Sequence, residues 1–217
     1  YSTEIVSIDP LIIYINNFTS QEEAEGLVKA AEGRFRTSEV YLHGRKQHTS
    51  DRTSQSAGLP LDNPYVTCVL TRARSFLGTM LLPSENFGMP QLVHYKAKQR
   101  FDLHHDWYDS PQLLPDGSGR RFNRVASFFV FLQDNCTKGE TYFPYVTALD
   151  KKTIGDGRKI RAYEDGGVVF KPISGNAIFW VNLFPNGTGD TRVMHAGLPL
   201  GKGTKTAMNI WPRKIYH

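Results

Sequence analysis

Cysteine is scarce in this sequence and long apolar runs are missing, and each shortage removes a class of protein. Two cysteines in 217 residues, Cys68 and Cys136, cannot build a disulfide scaffold, so stability has to come from a buried core. Cys68 lies in an apolar helical stretch and is expected as a buried free thiol, with a bridge to Cys136 left open. No run approaches the roughly 20 apolar residues of a membrane span, and no secretory leader is recognisable. Charge of one sign is also in short supply. Lys and Arg exceed Asp and Glu by 26 to 21, for a formal charge of +5, and the basic residues are scattered without interleaved aromatics; this argues against a nucleic-acid-binding face. The densest basic stretch, Lys151, Lys152, Arg158, Lys159 and Arg161 around Gly155-Asp156-Gly157, is expected as a solvated hairpin tip. Low-complexity tracts and internal repeats are absent.

The length suits one domain, residues 1–217, with about 1–85 as helical support and lid loop and about 86–217 as the β core. Ser20 and Glu23 form a capping box ahead of Ala24, Leu27, Val28 and Ala31, and Gly33 closes the segment, which predicts a helix over about 20–32. Asn63-Pro64 opens a second helical stripe, Val66, Val69, Leu70, Ala73, Phe76 and Leu77, running to about Leu82. Between them, His43 to Pro60 is poor in apolar residues and predicts a mobile functional loop; Asp109 to Asn123 predicts a second. From Gln91 onward the chain turns to short β-like runs: Gln91–Tyr95, Phe101–Trp107, Val125–Gln133, Glu140–Phe143, Gly167–Phe170, Ala177–Asn182, Thr191–His195 and Thr204–Trp211. Such a series after two helices predicts a mainly β fold, a jelly roll or barrel backed by N-terminal helices.

The chemistry concentrates in His104 and Asp106, within Phe-Asp-Leu-His-His-Asp-Trp-Tyr, and in His195 of Arg-Val-Met-His-Ala-Gly. In a strand, residues i and i+2 share a face, so His104 and Asp106 converge while His105 turns away. With a distant His they offer two imidazoles and a carboxylate, the ligand set of non-haem iron(II) oxygenases, which leaves coordination positions open. Lys205 follows His195 by ten residues, across the turn Gly-Leu-Pro-Leu-Gly-Lys-Gly, so both can enter one interior from adjacent strands. A buried ammonium needs an anion, and the far carboxylate of 2-oxoglutarate would supply it. Lys202 sits inside the turn and is expected in solvent. His43, His48, His94, His105 and His217 have no partner at metal spacing and are expected to be structural or solvent-facing.

Over most of its length the sequence resembles the prolyl 4-hydroxylases of the iron(II) and 2-oxoglutarate-dependent oxygenase superfamily. The residues that carry the likeness are Tyr95, Phe101, His104 and Asp106; Gly139-Glu-Thr-Tyr-Phe-Pro144; Gly175-Asn-Ala-Ile-Phe-Trp-Val-Asn-Leu183; His195-Ala-Gly197, Lys205 and Trp211; and Ser50-Asp-Arg-Thr-Ser54, similar to the family's substrate-lid segment. The resemblance implies a double-stranded β-helix, iron on His104, Asp106 and His195, and 2-oxoglutarate anchored by Lys205, with Tyr95 and Ser127 (in place of a family Thr) lending hydroxyls. It implies a role for Arg124 in peptide binding and catalysis, and peptide contacts by Phe101, Trp211 and Arg213. Lys98 at a Gly position, Phe101 for a Tyr, Thr206 for a frequent Trp and Arg213 for a His depart from the pattern and bear on substrate preference. The carboxylate kept at Asp106 favours hydroxylation over halogenation.

The expected activity is hydroxylation of peptidyl proline at C4 in proline-rich segments, with Fe(II), 2-oxoglutarate and O2, releasing succinate and CO2; the resemblance also makes ascorbate a cofactor candidate. Polyproline II suits an open groove because its backbone is free of internal hydrogen bonds. The alternatives are the same chemistry on free proline, another amino acid or a small metabolite, and a non-catalytic jelly-roll binding module. Three sequons, at Asn17, Asn135 and Asn186, and a first residue other than Met raise the expectation of the endoplasmic reticulum or Golgi lumen, after removal of an N-terminal segment with or without an anchor. A cytoplasmic location and the oligomeric state stay open.

Overall fold

The structure is a computed structural model that describes residues 1–38, 40–42, 45–47, 51–149, 154–164 and 166–216. Helix α1 spans Gln21–Ala30 and opens on the capping box, with Ser20 accepting from the Glu23 amide and Glu23 accepting from the Ser20 amide; a cap of this kind contributes about 1 kcal/mol. Helix α2 spans Pro64–Leu77, with Asn63 capping Tyr65 and Val66, and a short 3-10 turn follows over Gly78–Met80. Cys68 is exposed, contrary to expectation, because the buried stripe of α2 is Val66, Val69, Ala73 and Leu77, and position 68 falls beside it. Its thiol donates to Glu23, and both cysteines are free. No helix among the described residues is long and apolar enough to cross a membrane.

The rest is mainly β. Among the described residues the major sheet runs Ser2–Ser7, Ile12–Asn16, Ala177–Val181, Ala126–Gln133, Leu200–Ile210, Gln91–Lys96, Gln55–Gly58, Arg36–Thr37, with Cys136–Lys138 also on Leu200–Ile210. A smaller sheet runs Ile160–Ala162, Val168–Phe170, Thr141–Phe143, His195–Gly197, Phe101–His104. Two apolar clusters hold these layers. One joins α1 and α2 to the outer face of the major sheet through Leu27, Val69, Phe128, Val130, Phe179 and Ile210. The other lies between the sheets, where Phe129, Phe131, Ile178 and Trp180 meet Phe143, Val168 and Phe170.

Several expectations change. The segment from His43 to Pro60 is not wholly loop: Gln55–Gly58 pairs with Gln91–Lys96 and with Arg36–Thr37, so backbone pairing overrides its polar composition. Positions 43, 44 and 48–50, including His43, His48 and Ser50, lie outside the described residues, as do Lys151, Lys152 and His217. The segment Asp109–Asn123 likewise contains Gln112–Leu113 and part of Arg121–Arg124, which with Arg213–Tyr216 form a third sheet. Thr191–His195 is not one strand. Asp190 accepts from the Arg192 amide and starts a 3-10 turn over Thr191–Val193, so the strand begins only at His195. The hairpin Ser2–Ser7/Ile12–Asn16 was not anticipated at all.

Candidate active site

His104 ends one strand of the smaller sheet, His195 opens the next, and the two residues are register partners. The strand expected to carry both His104 and Asp106 stops at His104; Asp106 lies two residues beyond it and still converges. Its Oδ1 is 3.9 Å from Nε2 of His104 and 3.9 Å from Nε2 of His195. The three ligand atoms lie within 4.8 Å of one another.

The fit of these donors to a metal is visible in what their other atoms do. His104 Nδ1 is 2.8 Å from the Asp102 carbonyl and His195 Nδ1 is 3.1 Å from the Val193 carbonyl. A carbonyl only accepts, so each Nδ1 carries the proton and each Nε2 keeps its lone pair for the site. On Asp106, Oδ2 accepts from Ser127 Oγ at 2.7 Å and from Trp211 Nε1 at 3.0 Å, which leaves Oδ1 facing the imidazoles. Burial, and then the neighbouring His195, push His104 well below the ordinary imidazole range. Burial would raise the Asp106 carboxyl, but His195, His104, Arg124 and the Ser127 hydroxyl outweigh it and bring it down to about 2. Neutral imidazoles and an ionised carboxylate are the protonation states a divalent cation requires.

These groups line a cavity of about 840 Å³ shared by Tyr95, Phe101, Arg124, Thr141 and Trp211. Lys205 is 1% exposed and sits behind the wall, its Nζ 4.6 Å from the centre of the Tyr95 ring and 5.9 Å from that of Phe129. Nζ donates to the Gly139 carbonyl at 2.6 Å, and no carboxylate pairs with it among the described residues. Burial pushes this ammonium down to about 8. The Thr141 hydroxyl on the same side is buried without a partner. A buried cation without a counter-ion and an orphaned hydroxyl fit an incoming carboxylate. Lys205 and His195 are not on adjacent strands as expected: Lys205 belongs to the major sheet and His195 to the smaller one.

Most of the other expected residues also gather here. Phe101 stacks on His104 with ring centroids 3.5 Å apart, and the Arg52 guanidinium lies over its other side at 4.7 Å. Arg124 lies over Trp211 at 3.6 Å and donates to the Asp106 carbonyl at 3.1 Å. Ser127 is a correction: its hydroxyl is spent on Asp106 and it is 0% exposed, so it does not line the cavity. The Arg213 guanidinium packs over Phe122 at 4.3 Å in the third sheet, outside the cavity lining. His105, expected to turn away, lines the cavity against Trp107, since the strand alternation has ended before it. His94 is structural as expected, with Nδ1 2.9 Å from the Thr206 hydroxyl. The residues missed by sequence reasoning are Thr141, Asn209 and Trp107 in the lining and Asn182 behind it. Alternation could have found Asn209, which shares a face with Lys205 and Trp211.

A His-x-Asp pair with a distant His, set into a two-sheet β core, defines the class of mononuclear iron oxygenases. The sequence profile of the 2OG-Fe(II) oxygenase superfamily matches residues 90–213, and the chain belongs to that superfamily. Within it the chain is similar to prolyl 4-hydroxylase 13 of Arabidopsis thaliana, 28% identical over 96% of this chain and 73% of that protein. It is likewise similar to subunit alpha-1 of the Gallus gallus prolyl 4-hydroxylase, 28% identical over 93% of this chain but 35% of that one. Among solved structures, the viral collagen prolyl hydroxylase of Paramecium bursaria Chlorella virus-1, as its 2OG complex, superposes with a TM-score of 0.67 at 23% identity, covering 93% of this chain and 95% of that one.

Proposed function

We propose that the chain hydroxylates peptidyl proline at C4 in proline-rich segments, as an iron(II)- and 2-oxoglutarate-dependent dioxygenase releasing succinate and CO2. The observation that carries this reading is the set of His104 and His195 Nε2 and Asp106 Oδ1 opening into one cavity, with the buried ammonium of Lys205 behind its wall. Its likeness to prolyl 4-hydroxylases over nearly the whole chain supports the substrate class. The support layer of about residues 1–85 and the core of about 86–217 act as one domain, the core being a double-stranded β-helix.

In this reading His104, Asp106 and His195 hold the iron, and Lys205, Tyr95 and Thr141 receive the far carboxylate of 2-oxoglutarate. Bound together, metal and cosubstrate supply the oxidising power to place one atom of O2 on an unactivated C–H bond and the other in succinate. The protein's own part is to orient and to shield. Trp211 and Phe101, both in the cavity lining, offer apolar surface to a proline ring, and Arg124, pinned by the Asp106 carbonyl, presents donors to the peptide backbone. The segment through Arg52 closes the cavity beside Phe101 and excludes water from the oxidant. Ascorbate would supply electrons to keep a metal held by His104, Asp106 and His195 in its ferrous state. A secretory-pathway location is supported by Asn186, exposed on the turn between Leu183 and Gly189 with Thr188 beside it.

The test is an O2-dependent incubation with Fe(II), 2-oxoglutarate and a panel of proline-containing peptides, read by succinate and by mass. Peptide-stimulated succinate with a gain of one oxygen on proline is expected. Succinate without peptide modification would instead indicate a small substrate, and no turnover at all would leave a binding module.

A further inference from the structure

Behind Asp106 lies a chain of buried polar groups whose protons can be assigned by counting. Ser127 Oγ is 2.7 Å from Asp106 Oδ2, and Asn182 Nδ2 is 2.9 Å from Ser127 Oγ; Ser127 and Asn182 are both 0% exposed. We propose that Asn182 is a positioning residue that, through Ser127, decides which oxygen of Asp106 faces the metal.

A carboxylate only accepts, so the single hydroxyl proton of Ser127 points at Asp106. The lone pair of that hydroxyl is then left to accept, and Asn182 must offer its NH2. The opposite amide orientation would set two acceptors, Asp106 Oδ2 and Asn182 Oδ1, on one proton. The arrangement is kept although Asn182 Oδ1 is left buried without a partner, a situation folded proteins generally avoid. The main chain of Asn182 is held on both sides, its amide donating to the Val125 carbonyl at 2.9 Å and its carbonyl accepting from the Asp190 amide at 2.9 Å. Trp180, in the strand that ends at Val181 just before Asn182, packs edge-on to His195 with centroids 4.8 Å apart, so this end of the strand lies beside the metal ligands. With Ser127 and Trp211 both donating to Oδ2, the carboxylate cannot turn, and Oδ1 remains the ligand. Without Asn182 nothing donates to the Ser127 oxygen to hold it in the rotamer that meets Oδ2, and Trp211 is left as the firm anchor of that carboxylate oxygen.

The experiment measures Co(II) binding without 2-oxoglutarate or O2, by titration and by the visible absorption of the bound ion. Asn182→Leu keeps a similar volume while removing both the donor and the orphaned acceptor. It should fold with at least wild-type thermal stability, yet bind Co(II) about 10- to 100-fold more weakly, as losses of partners behind metal ligands do. Ser127→Ala should do the same and Ser127→Thr should restore binding. The double variant Asn182→Leu/Ser127→Ala should be no weaker than Ser127→Ala alone, because both act on one relay. If leucine is not accommodated, Asn182→Ala removes the donor at smaller volume and repeats the test. A folded Asn182 variant with wild-type Co(II) affinity and spectrum, or additive losses in the double variant, overturns the proposal. This inference rests on the metal assignment above: failure of the unmodified chain to bind Co(II) would overturn that assignment and the relay together, whereas equal binding by all variants overturns the relay alone.

Discussion

Ala126, Phe128, Val130 and Leu132 point into the cluster beneath α1 and α2, while Phe129 and Phe131, from the same strand, point between the sheets with Ser127 on their side. The neighbouring strands divide alike: Ala177 and Phe179 against Ile178 and Trp180, Met208 and Ile210 against Lys205, Ala207 and Asn209. The helix-backed face is dominated by apolar volume. The interior face carries the buried polar groups Lys205, Ser127 and Asn182, and the unpartnered atoms of Thr141, Trp180 and Asn182 belong to that side. One face supplies stability so that the other can hold groups in arrangements that reduce it.

Three substitutions test this division, in decreasing order of effect. His195→Ala should remove metal binding by more than the roughly 100-fold that loss of an outer partner costs, and abolish hydroxylation while the unfolding midpoint of the metal-free protein stays near wild type. Metal titration and calorimetry separate the two, and retained hydroxylation would contradict the site. Phe128→Ala, on the support face, should do the reverse: destabilise by about 3–5 kcal/mol in urea unfolding, with metal affinity unchanged in the folded protein.

Lys205→Met sharpens the comparison, because there the two demands collide. Replacing a buried ammonium by an apolar chain should leave the metal-free protein neutral to about 2 kcal/mol more stable, and weaken 2-oxoglutarate by about 2–5 kcal/mol. The pH dependence fixes the sign. The folded pKa of Lys205, about 8, lies below its ordinary value of 10.5, so the unfolded chain binds the proton first as pH falls from 10.5 to 8. Over that window the wild type loses stability relative to Lys205→Met, and below pH 8 the gap is constant. Cosubstrate affinity of the wild type should fall as pH rises past 8, and a flat profile would remove Lys205 from the anchor role.

The sequence shows the support face clearly where local chemistry repeats the tertiary answer. The Ser20/Glu23 box and the Asn63-Pro64 start are strong local signals, and both helices form where they predict. The proposed iron ligands His104, Asp106 and His195, and Lys205, were legible as residue types in order, but not their partners. Ser127 reads as a cavity hydroxyl until its distance to Asp106 is known. The first hairpin was missed because Ile12, Tyr14 and Ile15 are buried on both faces between neighbouring strands, and a continuous apolar run carries no alternation to read. Thr141 and Asn182 escaped because a lone polar residue in an apolar strand becomes informative only when its missing partner can be seen.

His195 lies opposite His104 in the pairing of two short strands. A slip of one residue would send one imidazole to the far side of its sheet, so the ion can be grasped only by a chain whose smaller sheet has been assembled in the right alignment. Loading is therefore also proofreading: a molecule that has zipped these strands wrongly is, for the same reason, unable to generate an oxidant.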